Sequence, residues 1–289
     1  MTDSRTLGAL SLTILFWASA FAGIRSGLTA YSPGSIALFR LLVASAVLTV
    51  YFLFSGLPLP KARDLPLIAF CGLLGIALYH LGLNYGEVTV TAGSAGFLIS
   101  SVPIFSALLA AVVLREKLSL RAFGGIGMSF AGIALISMGE GDGAGISLDA
   151  GAMYILLAAI ATSIFFVIQK PYLVKYGPIL FTAYIFWAGT AFLLVFLPDF
   201  ITEFRNASAP ATLSVIYLGV FPTAIAYVTW AYALSRAPVS NVASFMYVVP
   251  VLGCFIAWLW LGELPTTLAV LGGVTALAGV ALVNTGGKR

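Results

Sequence analysis

Charge is what this sequence has least of. Of 289 residues only 8% are Asp, Glu, Lys or Arg, against about 25% in a soluble domain. So few charges cannot cover a water-exposed surface, so much of the exterior must face lipid. There is one histidine, His80, which excludes a His-Glu-x-x-His zinc protease. No Walker-type phosphate loop is present, so ATP does not drive the chain directly. The aspartates that would cluster to hold magnesium in a prenyl-transferring enzyme are missing from the apolar segments. The two cysteines, Cys71 and Cys254, stand inside apolar runs with no metal-ligand or disulfide spacing, and read as small buried hydrophobes. Neither a cofactor nor a metal is expected.

What is present is apolar length. A helix rises 1.5 Å per residue, so ~30 Å of hydrocarbon takes about 20 apolar residues. Ten segments qualify: 6–25, 33–54, 65–85, 91–114, 121–139, 150–169, 179–199, 211–234, 239–261 and 266–285. In the first, Arg5, an apolar stretch from Leu7 to Trp17 and then Ala18-Ser19-Ala20 have the outline of a cleavable signal peptide. Its apolar run continues through Phe21 to Ile24, and it reads as a first span. The links are short and hold breakers such as Ser32-Pro33-Gly34, Pro58, Pro60, Gly177-Pro178 and Pro265.

The few charges orient the bundle. With both termini in the cytoplasm, the inner side carries Arg5, Lys61, Arg63, Arg115, Lys117, Arg121, Lys170, Lys175, Arg236, Lys288 and Arg289, and the outer side only Arg25 and Arg205. Eleven against two is a strong positive-inside bias. The outer links are acidic: Glu87, Glu140, Asp142, Asp149, Asp199, Glu203 and Glu263. The net charge of +4 is therefore a property of cytoplasmic helix flanks, and no nucleic-acid surface is implied.

Sliding the chain by 147 residues superposes Gly72 on Gly219, Tyr85 on Tyr232, Pro103 on Pro250, Glu116 on Glu263, Gly125 on Gly272 and Gly132 on Gly279. From Cys71 to Ser137 the register runs without a gap, and 14 of 67 positions are identical. The shift equals five spans. Five is odd, so equivalent helices cross in opposite directions. The expected fold is an all-α polytopic membrane protein of ten transmembrane helices, two inverted five-helix repeats (1–140 and 147–289) around a central cavity. Inverted repeats are a mark of secondary transporters, whose site lies near the midplane between the halves.

Two five-span repeats, Trp17-Ala18-Ser19-Ala20-Phe21 in span 1, Arg40 in span 2, a mid-span proline in spans 4 and 9, and the pair Leu114-Arg115-Glu116 and Leu261-Gly262-Glu263 resemble the EamA family of the drug/metabolite transporter superfamily. Within it the chain is most similar to the YddG-type exporters of aromatic amino acids. The resemblance implies a bacterial inner-membrane exporter of small metabolites, with a small-molecule substrate and the bilayer as partners and no obligate protein partner. The second half departs from the pattern, with Ile164 and Trp187 where the first has Trp17 and Arg40. The ligand contacts of the two halves are therefore expected to differ.

Candidate substrate contacts are the aromatic and polar residues of the central spans: Trp17, Phe21, Tyr79, Phe165, Tyr227, Trp230 and Tyr247, with Ser100 and Ser101. Rings interleaved with hydroxyls suit an amphipathic, partly aromatic ligand, although rings also simply fill helix interfaces. Arg40 has two readings, attraction of a carboxylate or a structural bond to carbonyls. His80, followed one turn later by Asn84, is either a ligand for substrate or proton or a satisfied structural histidine. Pro103 and Pro250 withhold a donor from the carbonyls of Ile99 and Met246; the result is a packing kink or a hinge. Gly125 with Gly132, and Gly272 with Gly279, place small faces on spans 5 and 10 for close approach. No Asp or Glu lies mid-span, leaving His80 as the titratable candidate for ion coupling. An intramembrane enzyme is the rival class, with a dyad of His80 and Ser94, Ser100 or Ser101, but Ala92 stands where a nucleophile elbow needs Gly.

Overall fold

The computed structural model describes residues 4–56, 58–105, 109, 120–140, 149–236, 242 and 245–285. Its helices are α1 (Ser4–Gly27), α2 (Pro33–Ser55), α3 (Ala62–Gly86), α4 (Ala92–Phe105), α5 (Leu120–Glu140), α6 (Ala150–Tyr176), α7 (Pro178–Asn206), α8 (Ala209–Arg236), α9 (Val249–Leu261) and α10 (Thr267–Thr285). No strand occurs among the described residues. Six helices (α1, α2, α3, α6, α7 and α8) are long and apolar enough to cross a membrane, and α4, α5, α9 and α10 contribute shorter apolar stretches. Large side chains such as Leu53, Phe54, Val174, Val195 and Leu259 point outward. An exterior this apolar suits hydrocarbon, not water. The chain is an all-α polytopic membrane protein.

Local chemistry sets the boundaries. Ser32 caps α2 by accepting from Ser35 N, with Pro33 in the first turn where no backbone donor is needed. Asp149 caps α6 through Ala152 N. Gly177, at φ 81°, stops α6 in a conformation that disfavours any Cβ. Two helices outrun their predicted ends. α6 passes through Pro171 to Tyr176. α7 continues past Pro198, which sits in the first turn after a short 3₁₀ segment at Leu194–Phe196 and so breaks no needed bond. The extension carries Phe200 and Phe204 onto Phe39 of α2, with ring centroids 5.0 and 5.6 Å apart. The Leu-x-Glu at 114–116, the glycine-rich link at 141–145 and Pro238 lie outside the described residues.

Packing centres on two arrangements. α5 and α10 lie against each other along their glycine faces. A Cβ on Gly132 would stand 2.4 Å from Ala276 N, and one on Gly279 would stand 2.5 Å from Gly125 O. Ser129 Oγ donates to Ala276 O at 3.1 Å across this seam. Around the centre, α1 packs on α8 and α9, while α6 packs on α3 and α4; α2 packs on α7.

Two devices interrupt the helices beside that centre. α3 widens to π-helical turns at Gly72–Leu78, and α8 does so at Gly219–Ile225. These stretches sit 147 residues apart. A widened turn frees backbone groups for other partners and recurs at functional positions. α4 leaves the α-helical pattern at Ser100–Ser101, just before Pro103, and α9 is preceded by a 3₁₀ turn at Phe245–Val248, just before Pro250.

Candidate functional site

The helix interruptions surround a narrow cavity of about 30 Å³. Trp17, Ala20 and Phe21 reach it from α1, Arg40 from α2, Tyr79 and Leu83 from α3, and Ile99 from α4. Thr162 and Phe166 come from α6 and Tyr227 from α8, with Met246 and Val249 beside the α9 break. This volume admits one or two waters, while small-molecule pockets begin near ~300 Å³. The helices are therefore drawn shut around the centre, and a small-molecule ligand enters only if they part.

Arg40 is the charged group of the lining, and it is 2% exposed. Its Nε donates to Thr223 Oγ1 at 3.0 Å, and Thr223 in turn donates to Leu218 O, five residues back in the widened turn of α8, at 2.8 Å. Trp17 Nε1 donates to the neighbouring carbonyl, Pro222 O, at 3.1 Å. Two side chains of the first half thus anchor on one widened turn of the second. Arg40 Nη1 has no protein partner among the described residues. A buried charged donor left open is expensive, so this nitrogen is available to an acceptor.

The rings form a connected wall. Trp17 meets Tyr227 edge-on at 5.6 Å and Trp230 at 4.9 Å; Phe166 meets Trp230 at 5.1 Å. Trp230 stands behind Trp17, outside the cavity lining. His80 also stands one layer back, stacked on Tyr227 at 6.0 Å, with Nδ1 donating to Ile76 O at 2.6 Å in the widened turn of α3. Its Nε2 has no partner among the described residues.

The other predicted residues are scattered around this centre. Asn84 Nδ2 donates to Pro33 O at 3.0 Å, tying α3 to the start of α2. Ser100 Oγ returns to Gly96 O at 2.9 Å, and Ser101 is buried at the α4 break. Phe165 packs on the face left bare by Gly75. The side chain of Tyr247 lies outside the described residues. Ile99 and Met246, each four residues before a break proline, both line the cavity. Ser163 Oγ stands 3.0 Å from Val102 O, tying α6 to the α4 break.

A second space opens near the predicted external end. This vestibule of about 650 Å³ is lined by Arg25, Tyr31, Ser32, Val88, Leu261 and Glu263, among others. Arg25 Nε and Nη2 each lie 3.0 Å from Glu263 Oε1. Glu87, below it, is fully buried, a burial that its place at a span end gave no sign of. The widened turns were equally silent in the sequence, apart from the alignment of Gly72 with Gly219.

The sequence profile of the EamA-like transporter family matches the chain twice, at residues 6–138 and 149–285. An uncharacterized transporter, YdfC, of Bacillus subtilis is 46% identical over 93% of this chain and 88% of its own length. A protein of Streptantibioticus cattleyicolor named "Probable terminal-alkyne amino-acid exporter" is 41% identical over 100% of this chain and 97% of its own. A crystal structure 21% identical in sequence superposes over 98% of this chain and 96% of that one with a TM-score of 0.66, which speaks to fold alone. The chain belongs to the EamA-like transporter family.

Proposed function

We propose that this member of the EamA-like transporter family exports small amphipathic metabolites, aromatic or other neutral amino acids, by alternating access of two inverted five-helix halves. The observation that carries the substrate class is Arg40: a buried guanidinium with Nη1 open, set in a wall of Trp17, Phe21, Tyr79, Phe166 and Tyr227. A carboxylate on Arg40 and a ring against that wall describe an aromatic amino acid. The name of the Streptantibioticus relative supports an amino acid in general terms.

The two-fold machine draws support from the double family match, the 147-residue register, the paired widened turns and the glycine seam of α5 and α10. In the cycle, Pro103 and Pro250 act as hinges, where the absent backbone bonds let each helix bend. Orientation follows the positive-inside bias, with both termini in the cytoplasm of a bacterial cell and the protein in its inner membrane. His80, Asn84, Ser100, Ser101, Phe165 and Trp230 hold the site in shape from one layer back. No cofactor and no obligate protein partner enter this reading.

The test is flux of labelled phenylalanine, tryptophan and leucine by the purified chain in liposomes. Saturable counterflow of the aromatic pair is the expected result. Flux of some other solute with none of any amino acid would sink the substrate class and keep the transporter.

A further inference from the structure

Glu87 stands in the partition between the two spaces. Leu83, one turn before it, lines the central cavity, and Val88, next to it, lines the vestibule. The carboxyl is fully buried, and neither oxygen has a partner among the described residues. The nearest cation is turned elsewhere. Arg25 Nη1 donates to the main-chain oxygen of Glu87 at 2.8 Å and gives its ion pair to Glu263.

Arg25 of α1 and Glu263 beyond α9 pair with each other; Arg40 of α2 is held by Thr223 through Nε and keeps Nη1 open among the described residues. Asp149 at the start of α6 binds Thr89 and Ala152 N, and Glu203 of α7 binds Ser32 N. On its own helix, Tyr79, His80 and Asn84 face the same neighbourhood. His80 and Asn84 of α3 and Glu87 just past its end follow at i, i+4 and i+7, and each carries a buried atom without a partner among the described residues: His80 Nε2, Asn84 Oδ1 and both Glu87 oxygens. Such a file of open polar atoms offers partners to buried water.

We propose that Glu87 is the proton-carrying group of the transport cycle, so that one proton moves inward for each substrate exported. When the Arg25–Glu263 pair opens, vestibule water reaches the carboxylate and protonates it. The neutral acid is then buried as the helices close around it. When the cavity opens to the other side, water admitted along Asn84 Oδ1 and His80 Nε2 takes the proton from Glu87, and substrate enters toward Arg40. Burial, the largest influence, holds this carboxyl well above the ordinary carboxylate range against the pull of Arg25 and Arg40, with Glu263 adding to the rise.

This inference rests on the transporter reading, and its test separates the two. Full-length protein in liposomes is given an interior one pH unit more acidic than the outside, with the membrane potential clamped at zero by potassium and valinomycin. Coupling of one proton per substrate supports accumulation of labelled phenylalanine inside up to about tenfold. Glu87→Gln should equilibrate without accumulating, while retaining phenylalanine counterflow in the absence of a gradient. Accumulation by Glu87→Gln, or none by the parent, overturns the proposal. In parallel, infrared difference spectra of the parent across the same pH range should show a protonated-carboxyl band that Glu87→Gln lacks. If phenylalanine fails to move at all, the substrate reading falls and the infrared band alone judges Glu87. A band that is absent from the parent or persists in Glu87→Gln overturns the assignment.

Discussion

Arg25 and Glu263, 238 positions apart, form an ion pair at 3.0 Å that ties α1 to the α9–α10 link. Their side chains are 28% and 26% exposed, so water screens the pair only in part. An exposed pair contributes about 0.2–1 kcal/mol, enough to bias a closed–open balance by up to about fivefold. In a background without Cys71 and Cys254, a cysteine at Leu83 reports access to the cavity by its labelling rate with a membrane-impermeant maleimide. Arg25→Gln should raise that rate a few-fold, and the exchange Arg25→Glu with Glu263→Arg should bring it back down. A rate unmoved by Arg25→Gln would remove the pair from any gating role.

Arg40 is committed through Nε and open through Nη1, so its variants should separate charge from placement. Arg40→Ala should raise the KM for an amino acid by about 10- to 150-fold, the worth of ~1.5–3 kcal/mol for a charged hydrogen bond. Arg40→Lys keeps the charge but cannot span Thr223 and a ligand at once, and should recover only part. Thr223→Val should cost less than either, because it disturbs aim alone. Competition is the control: tryptamine, which lacks a carboxylate, should inhibit far less than tryptophan in the parent and equally with it in Arg40→Ala.

Much of this was legible in the sequence, for reasons that can be named. Small faces at Gly125, Gly132, Gly272 and Gly279 could only serve close helix contact, and α5 and α10 meet there. Proline removes a backbone donor wherever it stands, which drew attention to the interruptions at Pro103 and Pro250, although α6 runs on through Pro171. Burial at a helix end could not. Glu87 looks like any polar link residue, yet the fold buries it completely, with Arg25 drawn onto its main-chain oxygen. Rings gave a similar ambiguity: Tyr227 faces the cavity and Phe165 packs on Gly75, yet composition and periodicity treat them alike.

The break prolines should matter to movement more than to assembly. Pro103→Ala and Pro250→Ala restore a donor facing Ile99 and Met246, both cavity residues. A continuous helix is at least as stable in lipid, so membrane insertion and thermal stability should hold or rise slightly while turnover falls. Transport unchanged in both variants would leave the prolines as packing kinks.

The glycine seam should fail in the opposite way. A Cβ at Gly132 would stand 2.4 Å from backbone of α10, which no rotamer change can relieve. Gly132→Ala should therefore lower stability by about 1–3 kcal/mol, the usual cost of overpacking, seen as a lower Tm in detergent. Gly124→Ala, where a Cβ meets nothing within 4 Å, should leave Tm within error. Equal effects at the two positions would mean that the seam is not closed as described.

Glu87 sets the last expectation, and its sign is fixed by burial. The folded protein binds this proton more tightly than the unfolded chain does, because burial holds the carboxyl well above its ordinary range. Stability from this group is therefore fully present below the ordinary carboxylate pKa, near 4.3. It is lost as pH rises from there through the folded value. Tm in detergent should fall over that window in the parent. Glu87→Gln, neutral at every pH, should flatten that part of the curve and be the more stable protein on its alkaline side. A parent and variant with parallel curves would mean that Glu87 ionises freely in the folded state, and the closed partition around it would have to be redrawn.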